Sequence, residues 1–260
     1  MKKAFVLGST GQDGSYMCEL LLKKRYKVYA LVRKSATGNT KNIDHLINDK
    51  KISDKSFFLV KGDLNDHNSI RNIISSVKPN EIYNFADQDH VGWSFAIPSY
   101  SLMTTSHSLI NILESIKSTN KNIKYFHPLS SNMFGKTKLK MQNESTPFNP
   151  QSVYAISKVT CFHLSNLYRN VYGLKIYNTI YSNHESPRRS EEYVTKKIVK
   201  HVSEIFYKKR LTLELGDISA KIDWGYAKEY IEYTHKIMQT KKPDVYVVAT
   251  GKAHSVKEFA

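Results

Sequence analysis

Short runs rich in apolar residues alternate with stretches of helical spacing along most of the chain. The apolar runs predict buried strands at residues 4–7, 27–32, 57–60, 81–85, 123–126, 174–181 and 245–249. Between them, apolar side chains recur every three or four residues, which predicts helices at residues 16–24, 68–76, 102–117, 153–172, 193–207 and 226–239. Because strands and helices alternate at this spacing, we expect an α/β fold with a parallel sheet and right-handed crossovers.

The first apolar run leads directly into a glycine-rich turn that precedes a predicted helix. Gly8, Gly11 and Gly14 recur at every third residue. Glycines at this spacing let the backbone turn sharply and approach a pyrophosphate, and the helix N-terminus then stabilises the negative charge. The motif predicts a doubly wound parallel sheet of the NAD(P)-binding Rossmann type, with the nucleotide lying across the carboxyl ends of the strands.

The second predicted strand ends in two basic residues, Arg33 and Lys34. At this position an acidic side chain commonly binds the ribose 2′-hydroxyl of NAD. A carboxylate would repel a 2′-phosphate and two cations would attract it, so this feature favours NADP. The alternative is that both residues are ordinary surface charges. Asp63 and Leu64 follow the third predicted strand and are placed to meet the adenine.

A tyrosine and a lysine four residues apart lie in one predicted helix. In such a pair the Lys158 ammonium lowers the pKa of the Tyr154 phenol, which can then take a proton from a sugar hydroxyl as hydride leaves the carbon. A pair of serines beginning at Ser130 ends a predicted strand and can hydrogen-bond the reacting oxygen. The same spacing recurs at Tyr193 and Lys197, where the face of an amphipathic helix is the better interpretation.

Composition excludes several classes of function. The 39 lysine and arginine residues exceed the 23 aspartate and glutamate residues, giving a formal net charge of +16. The basic residues are spread along the chain without interleaved aromatics, so we expect a solvated surface or a field that attracts a phosphate-bearing small molecule, and no nucleic-acid partner.

Cys18 and Cys161 cannot build a disulfide scaffold or a multi-cysteine metal site, and they indicate a reducing compartment. The short apolar runs predict neither a signal peptide nor a membrane span, so we expect a cytoplasmic protein.

Motifs along the whole chain together resemble the GDP-mannose 4,6-dehydratase family, a branch of the extended short-chain dehydrogenase/reductases. They are GSTGQDGS at residues 8–15, EIYNFA at 81–86 with Gln88 and HV at 90–91, NHESPRR at 183–189, DWG at 223–225 and ATG at 249–251. The NHESPRR segment is especially specific, since it separates this family from the nucleotide-sugar epimerases. Chains of the family normally continue well beyond residues 254–259, so the resemblance implies either an N-terminal fragment or a chain that has lost most of its C-terminal substrate-binding lobe.

The resemblance implies an NADP-dependent dehydration of GDP-mannose to GDP-4-keto-6-deoxymannose, a step in GDP-fucose biosynthesis, catalysed by a homo-oligomer. Tyr154 would deprotonate the C4 hydroxyl, with Lys158 and Ser130 beside it and position 132 supplying the acid/base for elimination. The implied cofactor contacts are Gly8, Thr10, Gly11, Gln12, Asp13, Gly14, Arg33, Lys34, Asp63, Leu64, Phe85, Ala86, Gln88, Tyr100, Tyr154, Lys158, His184 and Arg189. The implied substrate contacts are Asn183 and Lys197.

Several positions depart from the family pattern. Ser130 replaces a threonine and keeps its hydroxyl, whereas Asn132 replaces the acid/base glutamate. An amide neither accepts nor returns a proton at neutral pH, so the elimination step loses its catalyst. Ile222 replaces an arginine expected to hold the diphosphate, and Asp87 and Asp89 replace small neutral residues beside the cofactor. We therefore expect impaired dehydration and weakened substrate binding.

Three functional hypotheses follow from these observations. The first is an active or weakly active dehydratase, the second is a degenerate homologue that binds NADP without dehydratase activity, and the third is a related nucleotide-sugar epimerase or oxidoreductase.

Residues 1–182 and 221–252 are expected to form the nucleotide-binding domain, and residues 183–220 and 253–260 a partial substrate lobe. In the family the helices at 102–117 and 153–172 pair across a two-fold axis, so their apolar stripes could serve either a core or a homodimer interface. These stripes comprise Leu109, Ile112, Leu113, Phe162 and Leu167.

Overall fold

The computed structural model describes residues 1–36 and 38–260, and its strands and helices alternate along most of the chain. The strands are β1 (Lys3–Leu7), β2 (Lys27–Val32), β3 (Phe57–Lys61), β4 (Glu81–Asn84), β5 (Lys124–Ser130), β6 (Lys175–Tyr181), β7 (Asn183–Glu185), β8 (Lys221–Tyr226), β9 (Val245–Val248) and β10 (Ala253–Ser255). The helices are α1 (Gln12–Lys23), α2 (Asp44–Ile47), α3 (His67–Val77), α4 (Val91–Ala96), α5 (Pro98–Leu102), α6 (Ser108–Thr119), α7 (Val153–Tyr172), α8 (Val194–Phe206), α9 (Ala227–Gln239) and α10 (Val256–Phe259).

Seven strands form one parallel sheet in the order β3-β2-β1-β4-β5-β6-β9. The strand order reverses between β1 and β4, which leaves a crevice at the carboxyl ends of these strands. Doubly wound sheets bind nucleotides at such a point because the loops on either side of it diverge. The predicted α/β fold with a parallel, doubly wound sheet is confirmed.

Both faces of this sheet are covered by helices. Side chains of a strand point alternately to opposite faces, and in β1 Phe5 joins one apolar layer while Val6 joins the other. The first layer packs against α3, α6 and α7, and the second packs against α1 and α9. Burial on both faces explains why these strands read as continuous apolar runs in the sequence.

The helix predicted at residues 102–117 is interrupted in the structure. A π-helical turn (Met103–His107) separates α5 from α6. Buried hydroxyls bond to the backbone at this point: Ser108 Oγ lies 2.5 Å from the Thr104 carbonyl oxygen, and Ser106 Oγ lies 3.2 Å from the carbonyl oxygen of Ser157 in α7. Such bonds compete with regular helical ones, and apolar periodicity does not report them.

A second, three-stranded sheet was not predicted. Its order is β10-β8-β7, with β7 and β8 parallel and β8 and β10 antiparallel. These strands are short and half exposed, so they lack the apolar alternation that identifies a strand in the sequence. The sheet joins segments from both predicted domains, and the division at residues 182 and 221 stays a prediction. Within the described residues, none of the helices is both long and apolar enough to cross a bilayer.

Candidate active site

The glycine-rich turn between β1 and α1 is closed by backbone contacts that exclude side chains. Gly8 has a φ of +72°, and a Cβ there would lie 2.2 Å from the Phe85 carbonyl oxygen. A Cβ on Gly14 would lie 2.2 Å from the carbonyl oxygen of Gly8. Gly11 differs, because the nearest atom to its Cβ would be 3.4 Å away. Gly8 and Gly14 therefore maintain the turn, and Gly11 keeps its outer surface open.

A cavity of about 300 Å³ lies above this turn. The predicted cofactor residues that line it are Gly8, Thr10, Gly11, Arg33, Asp63, Leu64, Phe85, Ala86, Gln88 and Tyr100. Sequence reasoning did not identify Asn39, Asn65 and Thr104, which also line it, because no local motif marks them. The start of α1 has no side-chain cap, so its backbone N–H groups stay free for an anion.

The two cations predicted to select NADP are placed differently. Arg33 lines the cavity, and its Nη1 donates a long hydrogen bond of 3.4 Å to the Tyr100 hydroxyl. Lys34 is exposed and is not part of the lining. Gln12 and Gly14 also lie outside the lining, one bonded to the neighbouring backbone and the other buried under the turn.

A second cavity, of about 390 Å³, brings together the four predicted catalytic positions. Ser130 lies at the end of β5, Asn132 lies in the short 3₁₀ helix that follows, and Tyr154 and Lys158 lie in α7. The N-cap residue Ser152 accepts a hydrogen bond from the Ala155 N–H, which places Tyr154 in the first turn of the helix. The first two turns of α7, the end of β5 and the short 3₁₀ helix thus place these residues at one cavity.

Hydrogen bonds connect the residues around the phenol of Tyr154. Asn132 Nδ2 donates to Ser130 Oγ at 3.1 Å, and the Asn132 backbone N–H donates to the same oxygen at 3.2 Å. With its lone pairs so engaged, the Ser130 hydroxyl is left to donate its own proton into the cavity. Burial raises the pKa of Tyr154, although the Lys158 ammonium and a hydrogen bond from Ser130 oppose this effect.

Lys158 is buried and paired with a carboxylate. Its Nζ donates to Asp87 Oδ2 at 2.6 Å and to the Pro128 carbonyl oxygen at 2.8 Å. Burial disfavours the ammonium, but Asp87, together with Tyr154 and Cys161, raises the pKa of Lys158, so the side chain is charged at neutral pH. Asp87 lines both cavities and was noted in the sequence only as a departure from the family pattern.

The segment NHESPRR packs against the first turns of α1. His184 Nε2 lies 2.8 Å from Asp13 Oδ2, and Gln12 Nε2 donates to the His184 carbonyl oxygen at 3.2 Å. Burial disfavours the charged imidazole, yet Asp13 raises the pKa of His184 and His184 in turn lowers that of Asp13. Arg188 adds bonds to Ser15 and Glu19 of the same helix. These contacts fix one wall of the second cavity against the glycine-rich turn.

Further residues of this segment face the cavity. Asn183, His184 and Arg189 line it, and the Arg189 guanidinium lies 3.4 Å from the centre of the Tyr193 ring and 3.3 Å from Glu185 Oε2. Tyr193 also lines the cavity, so its side chain does more than form a helix face. Lys197 is not part of the lining.

This arrangement defines a nucleotide-binding α/β domain with a serine–tyrosine–lysine set, the class of the short-chain dehydrogenase/reductases. The sequence profile described as GDP-mannose 4,6 dehydratase matches residues 5–260. The chain belongs to the GDP-mannose 4,6-dehydratase family, as the resemblance of its motifs indicated.

Relatives named GDP-mannose 4,6 dehydratase cover almost the whole chain. The protein of that name from Drosophila melanogaster is 42% identical over 261 residues, which are 99% of this chain and 66% of the relative. GDP-mannose 4,6 dehydratase 1 of Arabidopsis thaliana is 44% identical over 263 residues, 99% of this chain and 73% of the relative. The Vibrio cholerae protein is 38% identical, with 99% and 70% covered. The chain thus spans about two thirds to three quarters of these relatives' length.

Solved structures of the same fold are less similar in sequence. A UDP-N-acetylglucosamine 4-epimerase from Methanobrevibacter ruminantium superposes with a TM-score of 0.85 at 23% identity, covering 99% of this chain and 79% of that one. A dTDP-glucose 4,6-dehydratase from Bacillus anthracis, solved in complex with NAD, gives 0.84 at 22% identity, covering 99% and 78%. These likenesses define the fold.

Proposed function

We propose that this protein is an NADP-dependent enzyme that acts on GDP-mannose. The overall reaction of the family is dehydration to GDP-4-keto-6-deoxymannose, and the step that this protein retains is hydride abstraction at C4. The observation that carries the proposal is the convergence of Ser130, Tyr154 and Lys158 on a cavity adjoining the glycine-rich turn. Family membership supports the choice of sugar nucleotide.

The residues present fit a dinucleotide. The uncapped start of α1 can receive the pyrophosphate, and the open outer surface of Gly11 allows its close approach. NADP bound there would supply a hydride acceptor for the sugar carbon. Arg33 lines the first cavity, and its guanidinium would pair with a 2′-phosphate there.

Three side chains would handle the proton at the sugar hydroxyl. Tyr154 accepts the proton from the C4 hydroxyl, and Ser130 donates a hydrogen bond to the same oxygen. The Lys158 ammonium stabilises the tyrosinate electrostatically, with its Nζ lying 5.8 Å from the centre of the Tyr154 ring. Burial of Tyr154 and Lys158 excludes water and strengthens these interactions.

Elimination of water requires a group that removes the C5 proton. Asn132 stands at the family position for that group and cannot perform the transfer. General acid–base catalysis contributes about 10²- to 10⁴-fold in rate, so the 6-deoxy product should form slowly. The reaction should therefore stop at the 4-keto stage with the reduced cofactor bound.

Incubation with GDP-mannose and NADP tests this proposal. We expect slow growth of the bound NADPH absorbance and little 6-deoxy product. Asn132→Glu should raise the amount of 6-deoxy product. Asn132→Gln should not, because the glutamine side chain is as long as that of glutamate but carries no charge. Full dehydratase turnover by the unaltered protein would show that another group, such as the Asp89 carboxylate on the same cavity, transfers the C5 proton.

Titration calorimetry with NADP and NAD tests the cofactor. We expect NADP to bind more tightly, by about 1–3 kcal/mol, because the 2′-phosphate gains a charge-assisted partner. Arg33→Ala should remove most of this preference, whereas Lys34→Ala should change it little because Lys34 lies outside the cavity lining. Equal affinities for the two nucleotides in the unaltered protein would contradict the assignment.

The second candidate function is an NADP-binding homologue without dehydratase activity. Asn132 and Ile222 favour it, because both line the second cavity where a catalytic acid and a diphosphate-binding cation are expected. Absence of GDP-mannose binding, with NADP binding intact, would establish this candidate. Interconversion of sugar epimers without loss of water would instead indicate a nucleotide-sugar epimerase.

We further propose a homodimer in the cytoplasm. Leu109, Ile112 and Leu113 are buried in the core, whereas Leu167 and Val171, one turn apart on α7, are 50% and 63% exposed. An apolar face of this kind commonly marks an interface. Light scattering at tens of micromolar should give a dimer mass, and Val171→Lys should give a monomer. A monomeric unaltered protein would refute the proposed dimer.

A further inference from the structure

A buried ion pair lies directly behind the proposed catalytic tyrosine. The Lys158 and Asp87 side chains are each only 3% exposed, and Lys158 Nζ is 2.6 Å from Asp87 Oδ2. Asn84 Nδ2 donates to the other carboxylate oxygen at 2.8 Å. Both oxygens of Asp87 are therefore engaged, and the carboxylate is held in place by β4 and α7 together.

His127 completes the surroundings of this carboxylate. Its Nδ1 lies 3.1 Å from the Tyr125 hydroxyl and 3.3 Å from Asn84 Nδ2, so two donors face that nitrogen. Nδ1 is then the acceptor, and Nε2 carries the hydrogen and lies 3.3 Å from Asp87 Oδ2. Burial lowers the pKa of His127 to about 4, so the imidazole is neutral and adds no positive charge. Lys158 is the cation that balances Asp87.

We propose that Asp87 is a positioning residue that fixes Lys158 and offsets much of its field at the Tyr154 phenol, so that Tyr154 acts as a base only at more alkaline pH. This inference rests on the proposed function of Tyr154. An ammonium alone beside a phenol stabilises the phenolate, whereas an ammonium in contact with a carboxylate presents a dipole whose field falls off faster with distance. The same pair keeps Lys158 from being an unpaired buried charge.

The other groups near Tyr154 either raise or lower the pKa of its phenol. Burial raises the pKa of Tyr154, Lys158 and Ser130 lower it, and both Asp89 and Asp87 raise it. The titratable and charged groups that face the Tyr154–Lys158–Asp87 set or line the same cavity are Tyr125 and His127 on β5, Asp89 and His90 on the loop after β4, Cys161 on α7, Arg189, Glu192 and Tyr193 before α8, Asp13 on α1, Tyr181 on β6 and His184 on β7. Among these described residues Lys158 and Arg189 are the lysine and arginine cations, and the His184 imidazole is paired with Asp13, which raises its pKa.

Asp87→Asn tests the proposal, because it removes the charge and keeps an oxygen for Lys158. The tyrosinate absorbance at 295 nm is followed against pH for the NADP-free protein and its Tyr154→Phe counterpart, and their difference reports Tyr154 alone. We expect Asp87→Asn to move this titration down by about 1 pH unit, within the range produced by a nearby charge. The rising limb of hydride transfer to NADP should move by the same amount.

The matched control is Asp244→Asn, which removes a carboxylate from the distant pair between Lys242 and Asp244. It changes the net charge equally and should leave the Tyr154 titration unchanged. If Asp87→Asn does not fold, Asp87→Ala carries the same test, since it removes the same charge.

A folded Asp87 variant with an unchanged Tyr154 titration would overturn the proposal. Absence of any reaction with GDP-mannose would contradict the proposed function and leave the 295 nm titration as an independent measurement. An equal shift in the Asp244 control would show a general effect of net charge and would also refute the role of Asp87.

Discussion

Gly14→Ala should destabilise the protein more than Gly11→Ala, the other alanine substitution at a glycine of this turn whose φ is not positive. The added Cβ would lie 2.2 Å from the Gly8 carbonyl oxygen, 2.6 Å from the Gly8 carbonyl carbon and 2.9 Å from the Ser9 Cα. All three neighbours are backbone atoms of the turn that joins β1 to α1, so no side chain can rotate away. The helix itself must move.

The magnitude follows from these distances. A carbon and a carbonyl oxygen in contact need about 3.3 Å, so α1 and the turn must separate by about 1 Å. Overpacking of this kind costs about 1–3 kcal/mol and more where the neighbours are rigid, while the better helix propensity of alanine returns up to about 1 kcal/mol. We expect a net loss of about 2–3 kcal/mol, equivalent to a fall in Tm of about 4–10 °C.

Thermal and urea denaturation followed by circular dichroism measure this loss. Gly11→Ala is the matched control, since it lies in the same turn and its Cβ would meet no atom closer than 3.4 Å. It should cost less than about 1 kcal/mol, the penalty of alanine at an N-cap. Equal changes in Tm for the two variants would refute the claim that close backbone approach at Gly14 holds α1 in place.

Three further predictions follow from the same region and from the core. Gly11→Val should leave the circular dichroism spectrum unchanged and abolish calorimetric binding of both NADP and NAD, because the new side chain fills the first cavity. The Asp13–His184 contact should stabilise the protein at mildly acid pH. Because the pKa of His184 is raised in the folded protein, the stabilisation from His184 is complete below about pH 6.5 and is lost as the pH rises through the folded-state pKa. Because the pKa of Asp13 is lowered, the stabilisation from Asp13 fades only as the pH falls below about 3.8. Urea midpoints for His184→Gln should therefore differ most from the unaltered protein between these values, and a gap that widens above pH 7 would contradict this sign. Burial raises the pKa of both Cys18 and Cys161, so iodoacetamide should modify neither thiol at pH 8 in the folded protein and both in urea, as read by mass spectrometry.

The parallel sheet and most of its helices could be predicted from the sequence because their signal is local. Alternating apolar runs and helical periodicity gave β2 and α7 with their observed bounds, and the other strands of the main sheet within a few residues. The glycine spacing likewise predicts a tight turn, since the steric demand at Gly8 and Gly14 concerns neighbouring backbone. Family motifs then located many of the residues that line the two cavities.

Tertiary structure alone decided the features that depend on distant partners. The small sheet pairs residues 183–185 with 224–226 through strands too short and too exposed to show a pattern. The π-helical turn before α6 depends on hydroxyls that bond to backbone, including that of Ser157 in another helix. Lys34, which is exposed, and Lys197, which is half-buried, lie outside the cavity linings, although the sequence suggested a ligand contact for each of them.

The ion pair between Asp87 and Lys158 shows most clearly why the sequence could not decide everything. The two residues are 71 positions apart, and no periodicity links a loop after β4 to the second turn of α7. In the sequence Asp87 is only an added negative charge near a polyanion. The fold brings it within 2.6 Å of Lys158 and buries both, and burial makes their attraction strong because little water remains to screen it. The sequence determined which chemical groups are available, and packing of β4, β5 and α7 determined which of them act on Tyr154.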